Sequence, residues 1–249
     1  YAFGIEEPWK LWCAYAKGCW DAFSEFPFSR WDVNLYYCED ADMANLMGKS
    51  YTRHGGFSDG IETFDNRFFD ISVSEAKGMD PTQRQVLEVA YLALHHGGWD
   101  KKSLGTKPAN IASWVGLDKN EWNNMPKEIE GAFGAVSSAN AITSNRFNYC
   151  CNLKGASMTI DTACSASLVC LHTAKLYLRN TMYDRLEAAI VTGVNLLLSP
   201  ASFIGCCGAN MISHIGRSFT YNQSADGYGR GESTASVCLK LKPWDPDEG

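Results

Sequence analysis

The sequence predicts an α/β fold in which helices cover a buried sheet. Short apolar runs typical of buried strands alternate along the chain with longer amphipathic runs typical of helices. Hydrophobic residues make up 45% and charged residues 20% of the 249 residues, which indicates a globular chain with a sizeable core. No internal repeat, low-complexity tract or linker interrupts the chain, so a single domain spanning residues 1–249 is the preferred organisation.

Four regions in the first part of the chain can be interpreted from residue spacing. Apolar residues at helical spacing predict a helix over residues 7–23, and the aromatic, irregular stretch 27–42 predicts a loop layer. Glycines in the segment 53–57 predict a turn or a short strand. A helix is predicted to begin at Asp80-Pro81, because Asp is a good N-cap and Pro suits the first helical position, and to end at Gly97-Gly98.

The rest of the chain alternates between predicted strands and helices. Strands are predicted at 111–117, 157–160, 187–194 and 235–241, and helices at 140–151, 164–179 and 199–209. The longest apolar run, 188–198, is interrupted by Thr192, Gly193 and Asn195 and is shorter than the roughly 20 residues that span a bilayer. It therefore predicts a buried strand and no membrane span.

Charge and cysteine content limit the partners and the compartment. A net charge of -6 with scattered Lys and Arg disfavours binding to nucleic acid or to an anionic membrane. The ten cysteines include no C-x-x-C pair, and the adjacent pairs at 150–151 and 206–207 are poorly spaced for a disulfide or zinc site. The cysteines therefore predict no metal site and a reducing compartment.

The first residues show no signal-peptide pattern and no initiating Met. We expect a chain cut at both ends, from a cytoplasmic or organellar protein whose targeting segment is not visible.

The segment around Cys164 has the pattern of a nucleophile site. A predicted strand leads into Asp161, Thr162 and Ala163, and a helix begins near Cys164. At a helix N-terminus, unpaired backbone N–H groups and the helix dipole favour a thiolate, and the same N–H groups can stabilise an oxyanion. Thr162, Ala163 and Ser165 are therefore candidate supports of the turn and the oxyanion site. Because free cysteines are often buried packing residues, these residues alone leave a packing role for Cys164 equally open.

The sequence around Cys164 closely resembles the active-site segment of β-ketoacyl synthases. Residues 161–174 read DTACSASLVCLHTA, where the family usually has DTACSSSL, so that Ala166 replaces the middle Ser. Further segments resemble family motifs in the same order: FPFSRWD at 26–32, GKSYTRHGGF at 48–57, FDNRFFDIS at 64–72, EA at 75–76, MDPTQR at 79–84, NRFNY at 145–149, GAS at 155–157 and ADGYGRGE at 225–232. The MDPTQR segment is more typical of modular polyketide and multidomain fatty-acid synthases than of stand-alone enzymes.

The resemblance implies a fold, a reaction and a partner. The family has a thiolase-like layered fold made of two similar halves, of which this chain would supply the first. Cys164 would accept an acyl group from the phosphopantetheine arm of an acyl carrier protein, and the chain itself would bind no cofactor. A malonyl-type extender would then lose CO₂, and the resulting carbanion would attack the thioester in a decarboxylative Claisen condensation. Whether the chain serves polyketide or fatty-acid synthesis stays open.

The catalytic histidines that the resemblance implies are missing from this sequence. They lie in HGTGT and NIGH segments in the second half of the family's fold, and neither segment occurs in these 249 residues. The histidines that do occur are predicted to be structural: His54, His95, His96, His172 and His214. We therefore expect the chain alone to be inactive in chain elongation.

The resemblance also implies a homodimer. In the family the strand before the nucleophile lies at the dimer interface, which predicts an interface at Ser157, Met158, Thr159, Ile160 and Asp161. Two other functions stay open at this point. One is a non-catalytic scaffold or dimerisation module, and the other is a cysteine hydrolase, which needs a His base.

Overall fold

A computed structural model describes residues 8–18, 20–126, 131–180 and 185–241 of the chain. In chain order the helices are α1 (Pro8–Gly18), α2 (Val33–Tyr36), α3 (Ala41–Met47), α4 (Val73–Gly78), α5 (Pro81–His96), α6 (Lys101–Thr106), α7 (Asn140–Cys150), α8 (Ala166–Arg179) and α9 (Ala201–Gly208). The strands are β1 (Ser24–Glu25), β2 (His54–Gly55), β3 (Ile111–Leu117), β4 (Ser157–Ile160), β5 (Ala188–Asn195) and β6 (Ser233–Leu239). None of the helices in the described ranges is long and apolar enough to cross a bilayer.

The described residues form two compact units that interleave along the sequence. The first unit is drawn from Tyr1–Ile61, Glu121–Pro126 and Leu196–Ser233, and the second is drawn from Glu62–Asn120, Lys127–Asn195 and Thr234–Gly249. The first unit holds the short antiparallel pair β1–β2. The second unit holds most of the larger sheet, together with helices α4 to α8 and Cys164.

The larger sheet has four strands in the order β4-β3-β5-β6. Strand β3 runs parallel to both of its neighbours, with Ser113 to Gly116 opposite Ser157 to Ile160 on one side and Ile111 to Leu117 opposite Ala188 to Val194 on the other. Every residue of β3 is buried. A parallel strand that is covered on both faces reads as a continuous apolar run, which is why 111–117 could be predicted with its observed bounds.

Alternate residues of the central strands enter two cores, one on each face of the sheet. On one face, Ile111 and Ile190 pack in a cluster with Phe147 of α7 and with apolar residues of α5. On the other face, Trp114 packs in a cluster with Cys170 of α8. Helices on both faces of a sheet in which β3, β4 and β5 are parallel confirm the predicted α/β class.

Helix α5 begins and ends where the sequence predicts. The Asp80 carboxylate accepts the N–H of Thr82 at 2.7 Å, and Pro81 occupies the first helical position. The helix ends at His96, immediately before Gly97. The N-cap and the proline supply two of the signals that fix a helix start from sequence alone.

The predicted loop layer over residues 27–42 is wrong in part, because two short helices lie there. The Asp32 carboxylate accepts the N–H of Asn34 at 3.0 Å and caps α2. The Asp40 carboxylate accepts the N–H of Met43 at 2.9 Å and caps α3. Both helices are too short to show a clear apolar period, so the aspartate caps were the available signal.

Other predicted boundaries shift by a few residues. The helix predicted over 7–23 ends at Gly18, and its predicted first residue lies outside the described residues. The helix predicted from residue 164 opens as a 3₁₀ turn, Ala163–Ser165, that runs into α8. The last strand is Ser233–Leu239, two residues earlier than predicted. Helices α4 and α6 have no counterpart in the sequence prediction, although Ser72 and Asp100 cap them.

The first unit has an aromatic core. Phe26 packs against Phe203 and Trp31, with ring centroids 4.6 and 5.0 Å apart, and Phe57 meets Phe26 edge-on at 5.8 Å. Edge-to-face and tilted aromatic pairs at such distances are favourable. Phe26 and Trp31, the aromatic residues on either side of residue 27, therefore belong to the packed core of this unit.

Candidate active site

Cys164 lies in a strained turn between β4 and α8. Ala163 has a left-handed backbone with φ of 53°, a conformation that residues with a Cβ rarely adopt. The N–H of Ala163 donates to Asp161 Oδ1 at 2.9 Å, which holds the turn in place. The next residue, Cys164, is exposed. A strained strand-to-helix turn that presents a thiol is the geometry expected of a nucleophile.

The residues that flank Cys164 are bonded to one another. Ser165 Oγ donates to the carbonyl of Thr162 at 2.9 Å and lies 3.0 Å from Thr162 Oγ1. The N–H of Ala166 donates to the carbonyl of Ala163. Thr162, Ala163 and Ser165, which were predicted to support the nucleophile turn, therefore lie together around Cys164. Their contacts keep the 3₁₀ turn closed.

The start of α8 rests very close to the sheet at two glycines. Gly116 of β3 and Gly193 of β5 are opposite each other in the strand register. A Cβ on Gly116 would lie 2.6 Å from the backbone nitrogen of Ser167, and a Cβ on Gly193 would lie 2.8 Å from Ser167 Cβ. Both distances are shorter than real Cβ contacts. The first turn of α8 thus occupies the space that two side chains would otherwise fill.

Burial separates Cys164 from the other thiols. Among the nine cysteines that the structure describes, all of them free, Cys164 alone is exposed. Burial raises the pKa of Cys150 and of Cys170 to about 11 and that of Cys151 to about 12. A thiol with such a pKa stays protonated and unreactive near neutral pH. Accessibility therefore favours Cys164 as the reactive thiol of the second unit.

The histidines of the second unit lie at helix positions away from the turn. His95 and His96 lie in the last turn of α5. His172 lies on α8, eight residues after Cys164, which is about 12 Å along a helix axis at 1.5 Å per residue. In this unit no described histidine is hydrogen-bonded to Cys164, so a cysteine hydrolase with a histidine base gains no support from it.

The histidines of the first unit have local roles. His54 forms part of β2. His214 Nδ1 lies 3.2 Å from Asp226 Oδ2, and the His214 N–H donates to the same oxygen at 3.0 Å. The ring of His214 also stacks on Tyr51, with centroids 4.3 Å apart. These contacts fix the loop that carries His214 within its own unit.

The predicted interface residues lie along one edge of the sheet. Ser157, Met158, Thr159 and Ile160 form β4, which is half-buried and pairs with β3 on one side. No other described strand pairs with its outer edge. Asp161 follows the strand, where it is exposed. Among the described residues, no group of three or more His, Cys, Asp or Glu side chains could hold a metal ion.

Sequence reasoning missed the contribution of the two glycines and of Ser167. The signal was present, because a glycine inside a strand often marks a close approach of another backbone. Gly193 interrupts an apolar run, and Gly116 lies one residue before the end of β3. What the sequence could not supply is the identity of the segment that approaches them.

Comparison with known proteins gives a consistent result. The family model described as beta-ketoacyl synthase, N-terminal domain, matches residues 6–243. The hybrid PKS-NRPS synthetase lepA of Aspergillus flavus is 39% identical over 241 residues, covering 95% of this chain and 6% of that protein. The polyketide synthase PksL of Bacillus subtilis is 37% identical over 228 residues, covering 91% of this chain and 5% of that protein. The chain therefore spans a small part of these relatives.

Solved structures give the same match. The ketosynthase from module 6 of the bacillaene synthase of Bacillus subtilis 168 has a TM-score of 0.81 at 32% identity, covering 95% of this chain and 38% of that one. The oxazolomycin ketosynthase domain OzmH KS7 of Streptomyces albus JA3453 has a TM-score of 0.82 at 28% identity, covering 96% of this chain and 41% of that one. Similarity in sequence and in fold extends over nearly the whole chain.

Proposed function

The chain belongs to the β-ketoacyl synthase family, whose N-terminal domain it carries, and we propose that it forms the acyl-accepting part of a polyketide ketosynthase domain with Cys164 as its nucleophile. One observation carries the proposal. The exposed Cys164 follows the left-handed Ala163 and precedes α8, so the thiol lies at the N-terminal end of a helix. Exposure gives a substrate access to the thiol, and strained turns and helix N-termini are common at sites that carry a reactive thiol.

The proposed acylation is a thioester exchange. The Cys164 thiolate attacks the carbonyl carbon of an acyl thioester, and the negative charge that develops on the carbonyl oxygen is stabilised by backbone N–H donors close to the thiol. The carbon–sulfur bond to the donor then breaks. The donor thiolate leaves and takes up the proton that Cys164 lost, so that one thioester is consumed and one is formed.

The donor in this proposal is an acyl carrier protein that presents the acyl group on phosphopantetheine. The relatives are described as polyketide synthases and as hybrid PKS-NRPS synthetases, and carrier-borne acyl groups suit such assemblies. The chain itself needs no resident cofactor for acylation. The exposure of Cys164 supports access for a thioester at the end of a flexible arm.

The second half of the proposed reaction is a decarboxylative Claisen condensation. A malonyl-type extender loses CO₂, the electron pair of the broken C–C bond forms a carbanion, and this carbanion attacks the acyl-Cys164 carbonyl and expels the thiolate. The histidine segments that the family resemblance assigns to this step do not occur in the 249 residues. We therefore propose that the groups for decarboxylation lie outside these 249 residues.

A thioester-labelling experiment tests the nucleophile. The protein is incubated with a short acyl-N-acetylcysteamine thioester, and the acyl mass gain and its position are read by mass spectrometry. The wild type and the control Cys206→Ala, which removes a half-buried thiol of the first unit, should both be labelled at Cys164. Cys164→Ala should not be labelled. An acyl group that persists in Cys164→Ala would overturn the assignment.

We propose that the protein forms a homodimer, and the proposal is supported by the edge of β4, with which no other described strand pairs. An unpaired strand edge offers a row of N–H and C=O groups to another chain, and β4 is four half-buried residues long. Replacing the half-buried Met158 by Lys should shift the protein towards monomer in analytical ultracentrifugation. A wild type that is monomeric at all concentrations would contradict the dimer.

The same edge favours the second candidate, a non-catalytic scaffold that serves as a dimerisation module. The two candidates differ in what they require of Cys164. A scaffold dimerises whether or not Cys164 can be acylated, whereas the ketosynthase proposal requires acylation. Dimerisation without any acyl transfer to the wild type would therefore favour the scaffold.

A further inference from the structure

We propose that Gly116 and Gly193 act as a paired positioning element that sets the height of the first turn of α8 above the sheet and thereby the place of Cys164. The two glycines face each other in neighbouring strands. Both approach Ser167, three residues after Cys164. The inference rests on the proposed function insofar as it treats Cys164 as the nucleophile.

Both positions require glycine because there is no room for a Cβ, and not because of their backbone conformation. Neither Gly116 nor Gly193 is among the glycines with positive φ. A Cβ on Gly193 would meet only the side chain of Ser167, with Cβ at 2.8 Å and Oγ at 3.4 Å. A Cβ on Gly116 would meet backbone, with the Ser167 nitrogen at 2.6 Å and the Ala166 carbonyl carbon at 2.8 Å. The two glycines therefore accommodate different parts of the same residue and its neighbour.

A shift of Ser167 should move Cys164, because a short hydrogen-bonded turn connects the two residues. The N–H of Ala166 donates to the carbonyl of Ala163, and Ser165 Oγ donates to the carbonyl of Thr162. Because these bonds join the residues on both sides of Cys164, lifting Ser167 from the sheet moves the turn with it. A displacement of about 1 Å at a reacting group can cost about 100-fold in rate.

The asymmetry between the two glycines gives a specific test by second-site rescue. Gly193→Ala should be rescued by Ser167→Gly, which removes the Cβ that the new methyl group meets. Ser167→Ala is the matched control, because it removes Oγ and keeps Cβ, and it should not rescue Gly193→Ala. Gly116→Ala should not be rescued by Ser167→Gly, because its new methyl group meets backbone atoms that every residue has.

Two measurements on the full chain test the positioning role. Together they distinguish a displaced Cys164 from an unfolded protein and from a failure of the proposed function. The first is the rate of alkylation of Cys164 by iodoacetamide near neutral pH, measured by peptide mass spectrometry. Because the start of α8 fixes where the Cys164 thiol is exposed, displacing it in Gly193→Ala or Gly116→Ala should change this rate at least about threefold. The second is acyl loading from the N-acetylcysteamine thioester, which should fall about 10-fold to 100-fold.

Cys170 reports whether the variants remain folded. It lies on α8, is fully buried and has a pKa raised by burial to about 11, so it should stay unlabelled in every folded variant. Each double variant is compared with Ser167→Gly or Ser167→Ala alone. In Gly193→Ala/Ser167→Gly both rates should return to within about twofold of Ser167→Gly, since the collision is gone.

Unchanged alkylation of Cys164 in folded Gly193→Ala would overturn the inference, as would equal rescue by Ser167→Gly and Ser167→Ala. Alkylation of Cys170 in Gly193→Ala that Ser167→Gly does not reverse would also overturn it, because loss of the helix would then not depend on the Ser167 Cβ. A wild type that is alkylated at Cys164 but never acylated would refute the proposed function instead. The alkylation series would still decide the role of the glycines.

Discussion

The guanidinium of Arg30 binds both oxygens of the Glu232 carboxylate, at 2.6 and 3.0 Å, across 202 residues of sequence. The Glu232 side chain is completely buried. Its two oxygens also accept the N–H groups of Ser58 and Leu197 at 2.7 and 2.9 Å. Arg30 in turn donates to the carbonyls of these same two residues. The FSRWD and GRGE segments thus meet in one satisfied polar network inside the first unit.

Glu232→Gln should destabilise the protein by about 3 kcal/mol or more, because it leaves a buried guanidinium without its counter-charge and sets an NH₂ group against an N–H donor. Urea unfolding followed by tryptophan fluorescence measures this loss. The control is Glu25→Gln, which breaks an exposed ion pair with Arg53 and should cost less than about 1 kcal/mol. Equal losses in the two variants would show that the buried network does not stabilise the fold.

The sequence predicted those parts of the fold that depend on local pattern. Strand β3 and the start of α5 follow from a continuous apolar run and from the Asp80-Pro81 start signal. The position of Cys164 between a strand and a helix follows from the patterns on either side of it. The contacts that join distant segments could not be predicted. Nothing near Arg30 identifies Glu232 as its partner, and nothing near Gly193 identifies Ser167, because both contacts exist only once the chain has folded.

Glu88 should make stability depend on pH in the direction opposite to most carboxylates. Burial raises the pKa of Glu88, and the Asp65 N–H that donates to Glu88 Oε1 at 3.0 Å opposes this shift only in part. The folded-state pKa therefore exceeds the unfolded-state value, so stability falls as the pH rises through the folded-state pKa. Glu88→Gln should be more stable than the wild type at pH 7, and the difference should vanish below about pH 4.

Asp100 provides the control of opposite sign. The N–H of Ser103, which donates to Asp100 Oδ1 at 2.8 Å, lowers the pKa of this carboxyl. Its contribution to stability is therefore present above the unfolded-state pKa and is lost as the pH falls through the folded-state value. Asp100→Asn should lose stability at pH 7 and lose less at low pH. The denaturation midpoint of each variant is measured from about pH 3 to about pH 8 and compared with that of the wild type. If this difference changed with pH in the same direction in Glu88→Gln and Asp100→Asn, the assignments would be contradicted.

Alkylation should distinguish Cys164, which lies just before α8, from Cys170, which lies within that helix. With a pKa of about 11, Cys170 would be ionised in about one molecule in 1,000 at pH 8, and it is buried as well. Iodoacetamide at pH 8 should therefore label Cys164 in the native protein and label both residues in urea. Native labelling of Cys170 at the rate of Cys164 would mean that α8 does not pack on the sheet as described.

Substitutions at residue 163 should report directly on the strained turn before Cys164. Ala163 has a φ of 53°, and a left-handed backbone costs a residue with a Cβ about 1–2 kcal/mol. Ala163→Gly should therefore keep or raise thermal stability, by up to about 1 kcal/mol, whereas Ala163→Val should lower it by at least about 1 kcal/mol, since β-branched residues fit this region worst. Acyl loading of Cys164 should nevertheless slow in Ala163→Gly, because glycine leaves the turn free to sample other conformations. A valine variant as stable as the wild type would show that the turn is not left-handed in solution and that no backbone strain at residue 163 precedes Cys164.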